Sequence, residues 1–245
     1  MELLGIDIGG SGIKGAPVDV ESGLLSRDRI KILTPKPSTP KAVAGVVVQL
    51  VKHYEWVGPI GCTLPSVVRE GVVHSAANVD KSWIGVDGER LLRKATGQPV
   101  TLLNDADAAG IAEMRFGAGR GRRGVVFILT FGTGIGSGVF VDGRLHPNTE
   151  LGHLEFKGMQ AEHYAAARVR EAERLTYKKW GTRVDEFLEH LEDIFSPNLF
   201  IIGGGVSRKM DRFEKYLVLD TEVVPAQLRN EAGIIGAALT AHDRR

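Results

Sequence analysis

The sequence predicts an α/β protein built from two units that face each other across a cleft. Two apolar runs, residues 2–8 and 125–129, each lead into a glycine-rich turn and then into a second β-type stretch. After each hairpin, helical and strand-like stretches alternate, which is typical of α/β units. The segment 117–124 places four glycines between the halves and suits a hinge. The two halves therefore share an order of elements rather than a sequence repeat.

The first half predicts three strands followed by a helix. The strands are expected near 2–8, 12–20 and 24–33, and the proline-rich segment 34–40 ends the last of them. Thr39 or Ser38 then caps a helix near 40–55, in which apolar residues recur at helical spacing. The later elements are a strand at Ile60–Leu64, a hairpin over 67–73 that turns at Glu70-Gly71, a helix near 87–96, a strand at 99–103 and a helix to about Phe116.

The second half repeats the order of strand, glycine turn and strand. Its first strand begins after Gly124, and its second is expected at Ser137–Val141, before an Asp142-Gly143 turn and a short strand. The later elements are helices near 160–173 and 182–195, a strand at 199–202, and helices near 205–216 and 229–242.

Composition and net charge limit the kinds of binding partner that are expected. The 245 residues are 43% hydrophobic and 25% charged, with a formal net charge of +1, which is typical of a globular protein. No global field therefore favours nucleic acid or a membrane surface, and an anionic substrate must be held by a local cluster. Cys62 is the only cysteine, which excludes an internal disulfide and a cysteine-based zinc site. No targeting segment or membrane-length apolar run is visible, so a cytoplasmic protein is expected.

The glycine turns predict a phosphate-binding site. Glycine lets backbone N–H groups approach an anion, and hydroxyl side chains add donors. The expected phosphate-binding residues of the first two turns are Gly9, Gly10, Ser11, Gly12, Lys14, Thr130, Gly132, Thr133 and Gly134. A dinucleotide site is disfavoured because residues 13–20 contain Pro17 and are β-prone, so no helix follows the first turn. The alternative is two hairpin turns without a ligand, and Lys14 could instead be a solvated strand lysine.

A third glycine run, residues 203–205, follows the last apolar strand. Gly204 and Gly205 there could admit adenosine or another phosphate segment at the start of a helix. The alternative is a tight turn from strand to helix.

Two aspartates are candidates for the chemistry. Asp105 follows an apolar strand, where α/β sheets often carry functional groups, and could accept the proton of an alcohol that attacks a phosphoryl group. Asn104 or Asp105 could instead simply cap the following helix. Asp7 lies in an apolar strand beside the first turn and could hold Mg²⁺ through water. It could also accept N–H groups of the turn.

A polar set beyond the second hairpin is suited to sugar hydroxyls. Glu150, His153 and Glu162 could each accept or donate hydrogen bonds there, and Asn78 could join them. The alternative for each is an ordinary surface side chain. Arg120, Arg122 and Arg123 form the densest basic cluster, which is either a solvated loop or a track for a long polyanionic donor.

These residues together resemble the ROK family of sugar kinases, within the actin, hexokinase and Hsp70 ATPase superfamily. The motifs Asn104-Asp105-Ala-Asp-Ala-Ala and Glu150-Leu-Gly-His153 carry the resemblance, together with the first two glycine turns. The polyphosphate-using glucokinases of the family are similar in further strings, at residues 5–15, 34–40, 78–83 and 224–233.

The resemblance implies two actin-like (ribonuclease H-like) α/β domains. The small domain would span 1–112, completed by a C-terminal helix at 229–245, and the large domain would span 113–228. It also implies transfer of the terminal phosphoryl group of inorganic polyphosphate, sometimes ATP, to the 6-hydroxyl of glucose with Mg²⁺. Asp105 matches the base, and the sugar-contacting positions are Asn78, Asn104, Asp105, Glu150, His153 and Glu162.

The resemblance further implies a homodimer. With a formal net charge of only +1, neither nucleic acid nor a membrane is expected as a partner. Residues 156–162 stand where many family members carry a cysteine-rich zinc motif, so no zinc is expected. Two other functions stay open: an ATP-dependent or dual-donor glucokinase or mannokinase, and a non-catalytic sugar sensor.

Overall fold

A computed structural model describes residues 1–243. The chain divides into two compact units, Met1–Ala112 with the segment from Glu231 onward, and Glu113–Asn230. Whether these units fold as separate domains with limits at 1–112 and 113–228 stays a prediction. The last two residues of the expected C-terminal segment 229–245 lie outside the described residues. Among residues 1–243, no helix has both the length and the apolar character needed to cross a bilayer.

The structure contains helices and strands in alternation. The α-helices are α1 Pro40–His53, α2 Gly88–Thr96, α3 Asp105–Phe116, α4 Ala161–Ala165, α5 Ala167–Ala172, α6 Tyr177–Phe195 and α7 Ala232–Asp243. The strands are β1 Glu2–Ile8, β2 Gly12–Asp19, β3 Leu24–Leu25, β4 Ile30–Leu33, β5 Ile60–Leu64, β6 Val68–Arg69, β7 Val72–Val73, β8 Val100–Asn104, β9 Val125–Phe131, β10 Ile135–Val141, β11 Arg144–His146, β12 Glu155–Phe156, β13 Met159–Gln160, β14 Leu199–Gly203 and β15 Val223–Pro225.

The first unit is built on a sheet of order β3-β2-β1-β5-β8, with β4 also paired to β2. Strands β1, β5 and β8 are parallel, whereas β1 and β2 form an antiparallel hairpin. Helix α7 packs so closely on this sheet that a Cβ at Gly61 would collide with the carbonyl of Ala237. Glycine is therefore needed where strand and helix backbones touch.

The second unit is built on a sheet of order β11-β10-β9-β14-β15. Strands β9 and β10 are antiparallel, and β9, β14 and β15 are parallel. Its core is aromatic, with Phe127, Phe131, Trp180, Phe200 and Phe213 all fully buried. The central pattern matches that of the first unit: an antiparallel hairpin followed by two parallel strands.

Several predicted elements are confirmed in place. Thr39 caps α1, since its hydroxyl accepts the N–H of Ala42 at 3.4 Å. The β6–β7 hairpin turns at Glu70 and Gly71, whose φ angles of 51° and 79° are those of a tight hairpin turn. Helix α3 starts directly after β8, as expected from the polar pair at that point.

Other predicted elements were wrong in extent or type. The single strand expected at 24–33 is two strands, β3 and β4. Between them the backbone leaves the sheet and bonds Tyr54, whose Oη donates to the Asp28 carbonyl at 2.8 Å and accepts the Ile30 N–H at 3.1 Å. Helix α6 begins at Tyr177 rather than near 182, with Thr176 as its cap. Basic residues in its first turn oppose the helix dipole, so the residues around 177 did not indicate the start of a helix.

The region after the third glycine run is also different from the prediction. Residues 205–216 form 3-10 turns, Gly205–Arg212 and Glu214–Tyr216, rather than an α-helix. Buried Ser207, Met210 and Phe213 recur every third residue, which is the period of a 3-10 helix. The last helix starts at Ala232 because Arg229 has a left-handed φ of 53°.

Candidate active site

The carboxyl ends of the parallel strands gather the polar residues of the first unit. Asp7 on β1 lies opposite Thr63 on β5, and Leu64 lies opposite Asn104 on β8. Ligands of α/β sheets bind outside this edge of the sheet. The register therefore brings Asp7, Thr63 and Asn104 to one edge, with Asp105 directly after it.

Asn104 is the residue that caps α3. Its Oδ1 accepts the N–H groups of Ala106 at 2.8 Å and Asp107 at 3.1 Å, and its Nδ2 donates to the carbonyl of Ser66 at 3.2 Å. Asn104 is only 5% exposed, as expected for a residue with this capping role. Its contact with a sugar stays a prediction. Capping is thus performed mainly by Asn104, and the neighbouring carboxylate is not required for it.

Asp105 occupies the first residue of α3 and is half-buried. Its Oδ1 accepts the Ala106 N–H at 2.9 Å. A carboxylate fixed in this way can receive a proton from a hydroxyl presented to it.

The first glycine turn spans residues 9–11 between β1 and β2. Gly9 N–H bonds the carbonyl of Gly12 at 3.1 Å, and the hydroxyl of Thr34 bonds the carbonyl of Gly9 at 2.5 Å. Gly10 and Ser11 are exposed. The backbone of Asn78 lies over the turn, since a Cβ at Gly10 would come within 3.2 Å of its carbonyl oxygen.

Asp7 and Lys14 form an ion pair at the foot of this turn. Lys14 Nζ lies 3.0 Å from Asp7 Oδ2, and Thr63 Oγ1 donates to Asp7 Oδ1 at 3.0 Å. Lys14 is therefore held by a carboxylate rather than solvated, and Asp7 is bound by side chains. The side chain of Lys31 lies against Gly12, so a second lysine also borders the turn.

The second glycine turn spans residues 132–134 between β9 and β10. Gly132 N–H bonds the carbonyl of Gly134 at 2.9 Å. Glu162 Oε2 accepts the N–H of Ile135 at 3.3 Å, and it leaves no room for a Cβ at Gly134. One of the predicted sugar residues is therefore built directly onto a predicted phosphate turn.

Glu150 and His153 stand beside Glu162 in the same unit. Glu150 Oε2 lies 3.7 Å from His153 Nδ1. Burial raises the pKa of Glu150, His153 opposes this rise, and the charge of Glu162 adds to it. Ser137 fixes the segment that carries them, accepting the Leu151 N–H at 3.0 Å and donating to the Thr149 carbonyl at 2.7 Å.

The third glycine run ends β14, and Ser207, which follows it, lines a cavity of about 580 Å³. Gly204 has a φ of 79°, and a Cβ there would collide with the carbonyl of Phe131, so only glycine suits the position. Ser207 Oγ donates to the Gly204 carbonyl at 2.9 Å. The cavity is lined by Ala118, Arg122, Ser207, Val224, Pro225, Ala226, Gln227 and Arg229.

The arginine cluster of residues 120–123 is partly neutralised. Both terminal nitrogens of Arg122 bond the carboxylate of Glu222, at 2.7 and 2.9 Å. Arg120 and Arg123 are exposed. This bidentate pair weakens the interpretation of the loop as a track for a polyanion.

The described residues contain no cluster of the usual metal ligands. Among residues 1–243, no group of three or more His, Cys, Asp and Glu side chains could hold a metal ion. Cys62 is completely buried, and burial raises the pKa of its thiol well above the usual range.

The comparisons with known proteins agree with these features. The model of the ROK family matches residues 3–166, and the chain belongs to this family. A polyphosphate glucokinase of Mycobacterium tuberculosis (strain CDC 1551 / Oshkosh) is 54% identical over 97% of this chain and 90% of its own length.

Two solved structures are similar over nearly their whole length. The inorganic polyphosphate/ATP-glucomannokinase of Arthrobacter sp. strain KM has a TM-score of 0.96 and 47% identity, covering 100% of this chain and 99% of its own. A ROK family glucokinase from Streptomyces griseus, in complex with glucose and AMPPNP, has a TM-score of 0.84 and 25% identity, covering 99% and 100%. The two-domain actin-like fold class is confirmed by these neighbours.

Proposed function

We propose that this chain transfers the terminal phosphoryl group of inorganic polyphosphate to the 6-hydroxyl of glucose. The observation that carries the proposal is the position of Asp105 in a chain of the ROK family. Its carboxylate lies at the start of α3, a helix that Asn104 caps. The donor and acceptor follow from the 54% identity to a polyphosphate glucokinase over 97% of the chain.

Asp105 acts as the general base in this proposal. Its carboxylate accepts the proton of the 6-hydroxyl while that oxygen attacks the terminal phosphorus. The bond from phosphorus to the bridging oxygen breaks, and the shortened polyphosphate leaves with the electron pair. Glucose 6-phosphate and a chain shorter by one phosphate are the products.

The remaining predicted residues position the two substrates. Carboxylate and imidazole groups suit a sugar because each hydroxyl both donates and accepts hydrogen bonds. We assign this role to Asn78, Asn104, Glu150, His153 and Glu162. Backbone N–H groups and hydroxyls of the glycine turns would bind the phosphate oxygens. We assign this role to Gly9, Gly10, Ser11, Gly12, Lys14, Thr130, Gly132, Thr133, Gly134, Gly204 and Gly205.

Mg²⁺ fits this site through water rather than by direct ligation. Each oxygen of Asp7 already accepts one protein hydrogen bond, and a carboxylate oxygen has a second lone pair that can accept from a metal-bound water. Mg²⁺ retains several waters in phosphate sites. When bound, it would neutralise charge on the phosphate oxygens.

A coupled glucose 6-phosphate assay with polyphosphate, ATP and GTP in parallel tests the proposal. Turnover with polyphosphate and glucose is expected. Turnover with ATP alone would replace polyphosphate by a nucleotide as donor, and no turnover with any donor would favour the sugar sensor.

ATP is a second donor that one observation favours. The cavity beside Gly204 and Ser207 has apolar walls from Val224 and Pro225 and two arginines, Arg122 and Arg229. It is large enough for a nucleoside. The Streptomyces griseus glucokinase was crystallised with AMPPNP, which supports ATP as an alternative donor here. The Arthrobacter glucomannokinase is named for polyphosphate and ATP, and supports mannose as an alternative acceptor.

Further parts of the proposal concern the assembly and its surroundings. We propose a cytoplasmic homodimer that uses no zinc and binds neither nucleic acid nor membrane. The single cysteine is buried and its thiol is disfavoured as a thiolate, which supports the absence of zinc. Light scattering, cell fractionation and assays with a zinc chelator check these points.

A further inference from the structure

The second unit carries a basic surface beside its glycine turns. Residues 166–179 contain five basic and two acidic residues, and residues 204–216 contain four basic and two acidic residues. The whole chain has a formal net charge of only +1, so this charge is local. The basic residues are Arg168, Arg170, Arg174, Lys178, Lys179, Arg208, Lys209, Arg212 and Lys215. We call this set the basic face.

The two segments lie against each other. The guanidinium groups of Arg170 and Arg212 both lie over the ring of Tyr177, 4.5 and 5.4 Å from its centre. Below them, Trp180 contacts the ring of Phe213 at 4.8 Å between centroids. One tyrosine ring therefore brings two cations from distant parts of the sequence into the same region of the surface.

The basic face begins at the second glycine turn. The N–H of Arg168 bonds the carbonyl of Gly132 at 3.0 Å, and the Arg168 side chain is exposed. Phe131, the last residue of β9, contacts Trp180 at 6.1 Å between ring centroids. An anion bound at Gly132 would therefore meet cationic side chains along the surface that leads away from the turn.

These cations have little internal compensation. In the part of the chain that the structure describes, Arg170 is the one member of the basic face in an ion pair, with the neighbouring Glu171 at 3.9 Å. Glu173, which lies in the same segment, instead bonds Arg183 at 2.7 Å. Arg122 in the loop 117–124 shows the opposite situation, because Glu222 neutralises it bidentately.

We infer that the basic face binds the distal part of a long inorganic polyphosphate whose terminal phosphate lies at the second glycine turn. This inference rests on the proposed function. A row of cations of which only Arg170 has an ion-pair partner among the described residues suits an anion with one charge per repeating unit, and such binding is strengthened by release of counterions. Single-stranded nucleic acid is a poorer fit because the ring of Tyr177 is already engaged by two guanidinium groups, whereas base binding needs a free aromatic face.

The test compares the KM for long-chain polyphosphate with the KM for tripolyphosphate. In R170Q/R212Q the KM for the long chain should rise about tenfold, as expected for the loss of one exposed charge at Arg212 and one half-buried charge at Arg170, and the KM for tripolyphosphate should rise far less. K178Q/K179Q, whose side chains are exposed, tests the same inference without altering the contacts of Tyr177. The matched control R120Q/R123Q removes two exposed arginines from the loop 117–124 and should leave the length preference unchanged.

Three outcomes would overturn the inference. The variants could raise both KM values equally, the control could match them, or a DNA oligonucleotide of equal charge could compete as strongly as polyphosphate. Binding of long-chain polyphosphate at increasing salt gives a readout besides activity, and its salt dependence should be shallower in R170Q/R212Q. If the wild-type protein turns over no polyphosphate of any length, the proposed function fails instead.

Discussion

The hairpins β1–β2 and β9–β10 have the same construction but differ at one matched pair of positions, which is charged in the first and neutral in the second. Each is joined by a turn of equal length, residues 9–11 and 132–134. The penultimate residue of the first strand is Asp7 in one and Thr130 in the other, and they face Lys14 and Gly136 respectively. The first hairpin thus has an ion pair where the second has a neutral hydroxyl and a glycine. In the proposed mechanism the first hairpin therefore supports a hydrated cation beside phosphate, and the second hairpin contributes backbone N–H groups to phosphate.

The largest effect on the chemical step is expected from a substitution in the first unit. Replacing Asp105 by Asn removes the proposed base while keeping its size, and kcat should fall by about a hundredfold to ten-thousandfold. Glucose binding, measured by calorimetry, should change little. A variant with nearly full turnover would remove Asp105 from the mechanism.

The ion pair is the feature that distinguishes the first hairpin. Asp7→Asn should lower kcat by about tenfold to a hundredfold, because it removes the charge that favours a hydrated cation and leaves Lys14 uncompensated. Thr130→Val at the equivalent position should lower it only severalfold, since one neutral hydrogen bond is worth about 1 kcal/mol. Equal effects in steady-state assays would mean that the two hairpins do not differ in role.

Glu150 should affect glucose binding and its pH dependence. Burial raises the pKa of this carboxyl, so it gains a proton at a higher pH than an ordinary glutamate. The KM for glucose should therefore rise as the pH is lowered through this raised pKa, whereas kcat should be less affected. Glu150→Gln should raise this KM about tenfold at neutral pH and remove its acid-side dependence. An unchanged pH profile would contradict this role.

The smallest effect is expected at the cavity beside the third glycine run. Arg229→Ala should raise the KM for ATP by about threefold to fivefold, because it removes one exposed cation from the cavity wall. The KM for polyphosphate should stay the same. A rise for polyphosphate alone would place that donor in this cavity instead of on the basic face.

Local patterns in the sequence predicted most of the fold and the outline of the site. Glycine turns, the Asn104–Asp105 pair and helix caps depend on neighbouring residues, so the sequence shows them directly. The Asp7–Lys14 pair also has a signal, since a hairpin with a three-residue turn places these positions opposite each other.

Contacts between distant residues had no such signal. Arg122 and Glu222 are 100 positions apart, and nothing local indicates that they pair. Arg212 meets Tyr177 only because the chain after β14 forms 3-10 turns on α6. The meeting of the two segments of the basic face therefore could not be predicted, and the arginine cluster at 120–123 was named as the candidate track because it is dense in sequence.

Phosphorus NMR of glucose with long-chain polyphosphate tests the central claim most directly. The account predicts a growing glucose 6-phosphate signal, an equal loss of internal phosphates and a constant number of chain ends, because each transfer exposes a new terminal phosphate. Release of orthophosphate without a sugar phosphate signal, or no reaction at all, would contradict the account.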